Sequence, residues 1–508
     1  MNNIVRRSMS SIAVSPAKIV SQKTHQVAGK LSVTEHFFEV PKDYTQPSNG
    51  ETIRIFGRSI RKNENPLLPK STSTSSSSEP TTTSSSPQLP WMIYLNGGPG
   101  MECRPPQQYP FTQRILEAGY QLFFLDQRGT GFSSPITAST LQMLQQGKPN
   151  NKDNKNKAND EETQTQNLKL YRADNIVRDC EAIRQILTAD YPSGSPTGPT
   201  TADSEKKKWS TIGQSFGGFI TMTYLSFYPQ GLRESFIFGG LQPLVQHADQ
   251  VYKCTFRKVA ERNRAYYDKY PEDVARVRNI MAYLVRGGGG DGEIGLPSGG
   301  KLTRRRFCAM GIMLGMHGGL DSVHEIVHRA NNDIELFGHL TRGTLSMIDA
   351  ATSYDDHLIY AILHEPIYCN GPGTASRWSA ERVQAEFAEF DIDRADGPIY
   401  FTGEMIYPWM FEDYAELRKV RDTANRVAAE DDWPALFDRE QLARNEVPVY
   451  AASYVEDMYV DFGLGSETAK SIKGAKVFVT NVMFHDAIRS RMDEVVKQAF
   501  ALRDDVLD

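Results

Sequence analysis

The clearest chemical signal in the sequence is a serine set between glycines. Residues 213–217 read GQSFG, which matches G-x-S-x-G, and they follow the apolar run WSTI and precede the helix-like FITMTYLSFY. A strand, a tight turn and a helix in that order form a nucleophile elbow, where glycines let the serine adopt a strained, exposed conformation. The pattern therefore predicts Ser215 as the nucleophile of an acyl-transfer reaction.

A second glycine-rich segment could stabilise the negative charge that such a reaction develops. Residues 96–100 read NGGPG and follow the apolar run WMIYL. Backbone N–H groups aimed at a developing oxyanion lower the barrier by roughly 3–4 kcal/mol. We expect the N–H groups of Gly98 and Phe216 to form this oxyanion hole. The alternative is a plain glycine-rich turn between a strand and a helix.

A serine nucleophile needs an acid and a histidine, which follow it in that order in an enzyme with this type of elbow. Of the ten histidines, His485 alone lies after the last plausible acid-bearing strand, and it follows the apolar run KVFVTNVMF. Asp457 comes directly after VPVYAASYVE and is the favoured acid, with Asp461 and Glu456 as alternatives. The alternative for His485 is a surface histidine beside Asp486.

These residues must be positioned by strands whose carboxyl ends meet at one edge of a sheet. Short apolar runs that end in glycine-rich turns predict buried strands, and a helical pattern at residues 173–191 lies between two of them. That alternation predicts an α/β protein with the α/β-hydrolase fold, a mostly parallel central sheet flanked by helices. The predicted strands span residues 91–98, 121–129, 209–218, 447–457 and 475–482.

Composition along the chain divides it into four parts. A largely helical stretch interrupts the strand pattern, and we expect it to form a cap domain over the active site. The predicted parts are a disordered or targeting tail (1–30), a first part of the hydrolase core (31–244), the helical cap (245–440) and a second part of the core (441–508).

Low-complexity tracts interrupt the first part of the core. Rich in Ser, Thr, Asn, Lys or Gly, they cannot bury enough apolar surface to offset their ordering entropy, so flexible insertions are expected near residues 62–88, 146–167 and 192–206. Ahead of them, two β-like stretches within residues 31–60 flank a turn rich in Pro, Asn and Gly, and predict an opening hairpin.

The blocks around these motifs resemble one known family. YLNGGPG, LDQRGTGFSSP and GQSFGG, in that order, with HEPIYCNG, FTGEMIYPWMF and EDMYVD further along, are similar to signature blocks of the proline iminopeptidase (prolyl aminopeptidase) family of serine peptidases. The similarity covers most of residues 90–490. It implies an α/β-hydrolase core with a helical cap, release of an N-terminal proline from short peptides, and no cofactor.

Residue by residue, the resemblance implies the same triad as the strand-end argument: Ser215, Asp457 and His485. It also implies that Glu365 and Glu404, in two of the later blocks, bind the free amino end of the substrate.

The sequence departs from the common family pattern at two points. Asn96 stands where many members have histidine, and FHD surrounds His485 where Gly-His-Ser is frequent. These changes affect the detail of the oxyanion loop and the shape of the pocket. In the DQRGTG block, which lacks the phosphate-binding pattern G-x-x-x-x-G-K-[ST], we expect Asp126 and Arg128 to hold loops together through an internal ion pair.

Charge and composition limit the partners. The formal net charge is −5, without a basic cluster, which gives no electrostatic reason to expect nucleic acid or a membrane surface. Five scattered cysteines suggest reduced thiols, and no apolar run could span a bilayer. A cytoplasmic location is expected. The Arg- and Ser-containing start, with no acidic residue before Glu35, leaves a mitochondrial alternative. The oligomeric state is not predicted.

Other readings remain open at this stage. His324, Glu325 and His328 form a literal H-E-x-x-H, the zinc-protease helix signature, although the sequence offers no third ligand at a known spacing. The alternative is an amphipathic cap helix with the histidines at its border. On the same core, a general esterase or another α/β-hydrolase is the second candidate, and a non-catalytic binding protein is the third.

Overall fold

A nine-stranded sheet runs through the described part of the chain, which in this computed structural model comprises residues 12–62, 89–143, 157–191, 205–287 and 293–505. Its strand order is β1-β2-β3-β5-β4-β6-β7-β8-β9. The strands are β1 (Lys18–Val27), β2 (Leu31–Pro41), β3 (Thr52–Lys62), β4 (Trp91–Leu95), β5 (Gln121–Asp126), β6 (Trp209–Gln214), β7 (Leu232–Phe238), β8 (Val449–Tyr454) and β9 (Ala475–Thr480).

The sheet is mixed, with a parallel majority. β1, β2, β3 and β5 pair antiparallel in that order, whereas β5, β4, β6, β7, β8 and β9 all pair parallel. Parallel strands need crossover connections, and helices supply them between β4 and β5, β5 and β6, β6 and β7, and β8 and β9. This arrangement confirms the predicted α/β-hydrolase fold class.

Helices of the core lie before and after a long helical segment between β7 and β8, which we call the cap. In the described residues the core helices are α1 (Thr112–Glu117), α2 (Ala138–Met143), α3 (Lys157–Lys169), α4 (Ala173–Leu187) and α5 (Phe216–Phe227). The segment between β7 and β8 holds α6 (Ala248–Lys269), α7 (Asp273–Val285), α8 (Arg304–Cys308), α9 (Gly319–Phe337), α10 (Arg342–Ala351), α11 (Leu358–Leu363), α12 (Ser379–Gln384), α13 (Met410–Asp413), α14 (Arg421–Ala429) and α15 (Arg439–Ala443). After β8 come α16 (Phe462–Ser471), α17 (Ala487–Ser490) and α18 (Met492–Asp504). None of the helices in these residues is long and apolar enough to cross a bilayer.

The central strands β4, β5 and β6 are buried along their whole length because both faces of the sheet are covered. In β4, Ile93 and Leu95 pack into one buried cluster while Met92 and Tyr94 pack into the cluster on the opposite face. Each such side chain contributes about 1.5–3 kcal/mol on full burial. The runs predicted as strands at residues 91, 121 and 209 begin at the first residues of β4, β5 and β6.

The structure differs from the sequence-based expectation at two places, the N-terminal tail and the second low-complexity tract. The tail expected over residues 1–30 contains β1, which pairs antiparallel with β2, so only residues 1–11 of it lie outside the described residues. The expected insertion at 146–167 overlaps α3, a polar helix that packs on α14 of the cap segment through an ion pair of Arg426 and Glu162 at 2.9 Å.

The remaining expectations for this region fall into two groups. The opening hairpin is confirmed, because β2 and β3 pair antiparallel across their whole length. Most of the low-complexity tracts near 62–88 and 192–206 lies outside the described residues, namely residues 63–88 and 192–204, as do residues 144–156.

Candidate active site

Ser215 occupies a sharp turn between β6 and α5. Its backbone has φ 55° and ψ −123°, a conformation that costs a non-glycine residue on the order of 1–3 kcal/mol. A Cβ atom on Gly217 would lie 1.9 Å from the carbonyl oxygen of Leu95, and one on Gly213 would lie 2.5 Å from the carbonyl oxygen of Gly217. The glycines are therefore required for the close approach of strand, turn and helix, as the motif predicts.

His485 and Asp457 lie at the carboxyl ends of neighbouring strands. His485 Nδ1 is 2.8 Å from Asp457 Oδ2, and the backbone N–H groups of Tyr459 and Val460 donate to Asp457 Oδ1 at 2.8 and 3.0 Å. Asp457 is therefore fixed from both sides. A Cβ atom on Gly239, at φ 55°, would lie 3.3 Å from His485 Nδ1, so the end of β7 packs directly under the pair.

The two alternative acids have other partners. Asp461 Oδ1 accepts the N–H of Leu464 at 2.8 Å and caps α16. Glu456 forms an ion pair with Lys258 at 3.5 Å. Among the three acids considered, Asp457 has the contact with His485.

The groups around His485 raise its pKa. Burial opposes the charge, but the charge and hydrogen bond of Asp457, together with the charge of Glu404, raise the pKa of His485 above its ordinary value, against a smaller opposing effect of Arg489. The ring also lies against Tyr459, with 4.5 Å between ring centroids. A general base with a raised pKa is a stronger proton acceptor, but it is active only above that pKa.

Ser215 and His485 face one cavity of about 600 Å³. Both are nearly buried, at 9% and 7% exposure. The cavity is also lined by the glycine loop and by cap residues, among them Gly97, Gly98, Tyr360, Glu404 and Tyr459. This cavity therefore joins the two separate parts of the predicted triad to the cap.

Of the two predicted oxyanion donors, Gly98 lines this cavity and Phe216 directly follows Ser215. Phe216 is the first residue of α5, and Gly98 has φ 137° in the loop after β4. Neither backbone N–H donates a hydrogen bond within the described residues, so both are free to bind an incoming oxygen. Asn96, where many family members have histidine, fastens this loop: its Nδ2 donates to the carbonyl of Glu102 at 2.8 Å and its Oδ1 accepts from the Tyr94 hydroxyl at 3.0 Å.

Glu404 is the carboxylate that the cap presents to the cavity. The Tyr360 hydroxyl donates to its Oε1 at 2.5 Å, and His364 Nε2 lies 3.5 Å from its Oε2. Burial raises the pKa of Glu404, but His364, the charge of His485 and the Tyr360 hydroxyl outweigh it, so the pKa lies below its usual value. With 15% of its side chain exposed, Glu404 is a mostly buried, ionised group in the lining of the cavity.

Glu365 does not face the cavity, which corrects its expected role. It is 3% exposed, its Oε2 accepts the N–H of Ser379 at 2.9 Å, and its Oε1 accepts the N–H of Ala380 at 2.8 Å. Both oxygens therefore serve the first turn of α12. Glu365 is turned away from the cavity because α12, which follows it in the chain, packs against it and donates its first N–H groups to the carboxylate.

The ion pair expected between Asp126 and Arg128 is also corrected. Arg128 pairs with Asp179 at 2.6 Å, whereas Asp126 accepts the N–H groups of Cys103 and Phe132 at 2.9 and 3.1 Å. Burial is the main reason that the pKa of Asp126 rises to about 6. Both residues thus hold loops beside the cavity, but with different partners from those expected.

The H-E-x-x-H side chains are engaged within the cap. His324 Nδ1 lies 2.8 Å from Asp273 Oδ2, and the His324 ring stacks on Tyr270 with 3.8 Å between centroids. Glu325 points elsewhere, to Arg329 at 3.4 Å. In the part of the chain that the structure describes, no three His, Cys, Asp or Glu side chains are grouped so that they could hold a metal ion.

Several cavity residues were not singled out by sequence reasoning. Tyr360 and His364 hold Glu404, and Arg104 and Arg489 line the cavity. His364 directly precedes Glu365 in the HEPIYCNG block, so the residue of this block that contacts the cavity carboxylate lies one position before the residue expected there. Tyr360 lies in a uniformly apolar helix whose sequence carries no sign of a polar contact.

Comparison with known proteins finds relatives over nearly the whole chain. The chain is 41% identical over 495 residues to the proline iminopeptidase aneH of Aspergillus aculeatus, covering 97% of this chain and 99% of the relative. It is 34% identical over 488 residues to the proline iminopeptidase of Aeromonas sobria, covering 96% and 100%. Among solved structures, the proline iminopeptidase of Mycobacterium smegmatis is 12% identical with a TM-score of 0.37, covering 95% and 98%. No family profile matches the chain.

Proposed function

The chain belongs to the proline iminopeptidase family, and from that membership we propose that it is a serine exopeptidase that releases an N-terminal residue, preferentially proline, from short peptides. The observation that supports this most directly is a single cavity that contains Ser215, His485 and the cap carboxylate Glu404. The first two supply acyl-transfer chemistry. The third supplies a partner for a positively charged amino end.

In the proposed reaction, His485 accepts the proton of the Ser215 hydroxyl while the serine oxygen attacks the carbonyl carbon of the first residue. Asp457 keeps the imidazole in the orientation and tautomer that this transfer needs. The N–H groups of Gly98 and Phe216 bind the oxyanion of the tetrahedral intermediate. His485 then donates its proton to the leaving amine, and the shortened peptide departs.

Water completes the cycle. His485 accepts a proton from a water molecule that attacks the acyl-enzyme, a second tetrahedral intermediate forms in the same oxyanion hole, and the bond to Ser215 breaks as His485 returns the proton to the serine oxygen. The products are the free amino acid and an unmodified enzyme. No step uses a metal ion or an organic cofactor.

Glu404 explains why the enzyme would act at a chain end. An ammonium group moved from water into a partly enclosed cavity loses hydration, which can cost several kcal/mol unless an opposite charge pairs with it. Glu404 is ionised and lies in the same cavity as the nucleophile. A substrate whose amino group is blocked would bring no charge to this carboxylate, so acetylated peptides are expected to be poor substrates.

Two experiments test the proposal. A fluorophosphonate probe should label the wild-type protein and fail to label Ser215→Ala, whereas a non-catalytic binding protein would show no labelling of either. A panel of proline, alanine and hydroxyproline amides, each with free and acetylated amino ends, should show the highest kcat/KM for free proline amide. Faster hydrolysis of simple esters, with no preference for a free amine, would support a general esterase instead.

A further inference from the structure

Two arginines line the cavity that contains Ser215 without having a partner of their own. Arg104 follows the glycine loop after β4, and Arg489 lies in α17, one turn after His485. Both are exposed, and neither side chain makes a hydrogen bond or an ion pair within the described residues. By contrast, Arg128, buried beside the same loops, is paired with Asp179.

The two guanidinium groups share one neighbourhood. Burial raises the pKa of the Tyr94 hydroxyl, and the positive charges of Arg489 and Arg104 both act in the opposite direction. Tyr94 donates to Asn96, which fastens the oxyanion loop. The charge of Arg489 also acts on His485. Both arginines therefore lie on the core side of the cavity, near the catalytic loop and the base.

The cavity is consequently bipolar. Its ionised carboxylate, Glu404, belongs to the cap and is held there by Tyr360 and His364. Its unpaired positive charges belong to the core, Arg104 to the loop after β4 and Arg489 to α17. A short peptide has the complementary charges, an ammonium at one end and a carboxylate at the other.

We propose that Arg104 and Arg489 bind the C-terminal carboxylate of short substrates, so that the enzyme prefers dipeptides and tripeptides over longer or C-terminally blocked peptides; the inference rests on the proposed exopeptidase function. In a dipeptide the carboxylate lies only one residue, roughly 3.5 Å of extended chain, beyond the scissile bond. It therefore stays inside the cavity that holds Ser215. Guanidinium groups suit this ligand because they donate paired hydrogen bonds to carboxylates.

One further group in the cavity works against such binding. Glu102, two residues before Arg104, is exposed and lines the same cavity, so its charge repels a substrate carboxylate. The preference is then set by two positive charges and one negative charge on the core side. Glu102→Gln should increase the preference for a free carboxylate, whereas loss of either arginine should reduce it.

The test compares prolyl-alanine with prolyl-alanine amide, two substrates that differ only in the charge at the C-terminal end. The measured quantity is the ratio of their kcat/KM values, because both use the same triad and the ratio cancels any effect of Arg489 on His485. The wild type should favour the free dipeptide. Arg104→Gln and Arg489→Gln should each lower the ratio by roughly three- to tenfold, the range expected for exposed, charge-assisted pairs.

Controls separate this inference from the proposed function. Arg114→Gln removes an exposed arginine of α1 that does not line the cavity, and it should leave the ratio unchanged. Arg489→Lys, which keeps the charge but not the paired donors, should give an intermediate ratio and serves as the second variant if a glutamine variant does not fold. Raising the salt concentration should also lower the wild-type ratio.

The possible outcomes are distinguishable. If the wild type hydrolyses both substrates and the arginine variants keep its ratio, the carboxylate site is refuted while the exopeptidase function stands. If the wild type hydrolyses neither these dipeptides nor proline amide, the proposed function itself fails, and the inference with it.

Discussion

Glutamine in place of Glu404 is the sharpest test of amino-end recognition. The amide keeps an oxygen that can still accept from the Tyr360 hydroxyl, so the substitution removes the charge with little loss of shape. Truncating one partner of a desolvated charge pair costs about 2–5 kcal/mol. Because about 1.4 kcal/mol is a factor of ten, that range is roughly 30- to 5,000-fold in kcat/KM for free-amine substrates. The 15% exposure of the side chain favours the lower part of this range, about 100-fold.

The assay measures kcat/KM for proline amide and for acetyl-proline amide in parallel. Glu404→Gln should lower the first and leave the second nearly unchanged, while the variant still reacts with a small fluorophosphonate. A second readout is the pH profile. Glu404 raises the pKa of His485, so the acid limb of kcat/KM should move to lower pH in the variant.

The matched control is Glu365→Gln, which changes a carboxylate of the same cap that does not face the cavity. Its two oxygens accept backbone N–H groups, so the variant should melt at a lower temperature but keep the wild-type ratio of free-amine to acetylated hydrolysis. Equal losses on both substrates in Glu404→Gln, or no loss at all, would refute amine binding by Glu404. A selective loss in Glu365→Gln instead would restore the role first expected for that residue.

Three further predictions concern the triad and the fold. Ser215→Ala and His485→Ala should each reduce turnover by several orders of magnitude while the protein still folds; near-normal turnover in either would refute the triad. Asp457→Asn should impair kcat far more than Asp461→Asn, because an asparagine at 461 can still cap α16 through its side-chain oxygen; the reverse ranking would move the acid to Asp461. The pKa of Asp126 is about 6 when folded and 3.8 in its reference state, so the folded protein binds the extra proton between these values and stability should fall as pH rises from 4 to 6. Denaturant titrations should show that Asp126→Asn removes that decline, about 3 kcal/mol in all; an unchanged decline would assign it to other groups.

Much of the core was predictable because its signals are local. β4 and β5 are buried on both faces and largely apolar, and β6, although it contains Ser210 and Thr211, leads into the elbow at Ser215, which follows from glycines adjacent in sequence. The pairing of His485 with Asp457 followed from their positions after consecutive strands, since parallel strands bring their carboxyl ends to one edge.

What was missed depends on contacts distant in sequence. β1 is exposed along most of its length and carries no apolar alternation. It is a strand through its backbone hydrogen bonds to β2, which leave no pattern in its own sequence. α3 is polar and is recognisable only by its contact with α14, more than 250 residues later. Glu365 and Glu404 have similar local sequence contexts. Their different positions depend on contacts with distant residues, of Glu365 with α12 and of Glu404 with Tyr360, and the local sequence does not predict these contacts.

The long segment between β7 and β8 also has a consequence for synthesis of the protein. Ser215 lies before that segment. Asp457 and His485 lie after it, in the loops that follow β8 and β9, the last two strands at one edge of the sheet. About 270 residues separate the nucleophile from its base, which at 5–20 residues per second is roughly 14–54 s of translation. During translation, the segment that contains Ser215 therefore leaves the ribosome well before the segment that contains the proposed base. With the proposed triad, the peptidase can become active only when nearly the whole chain has left the ribosome, and a product truncated before His485 should be inert.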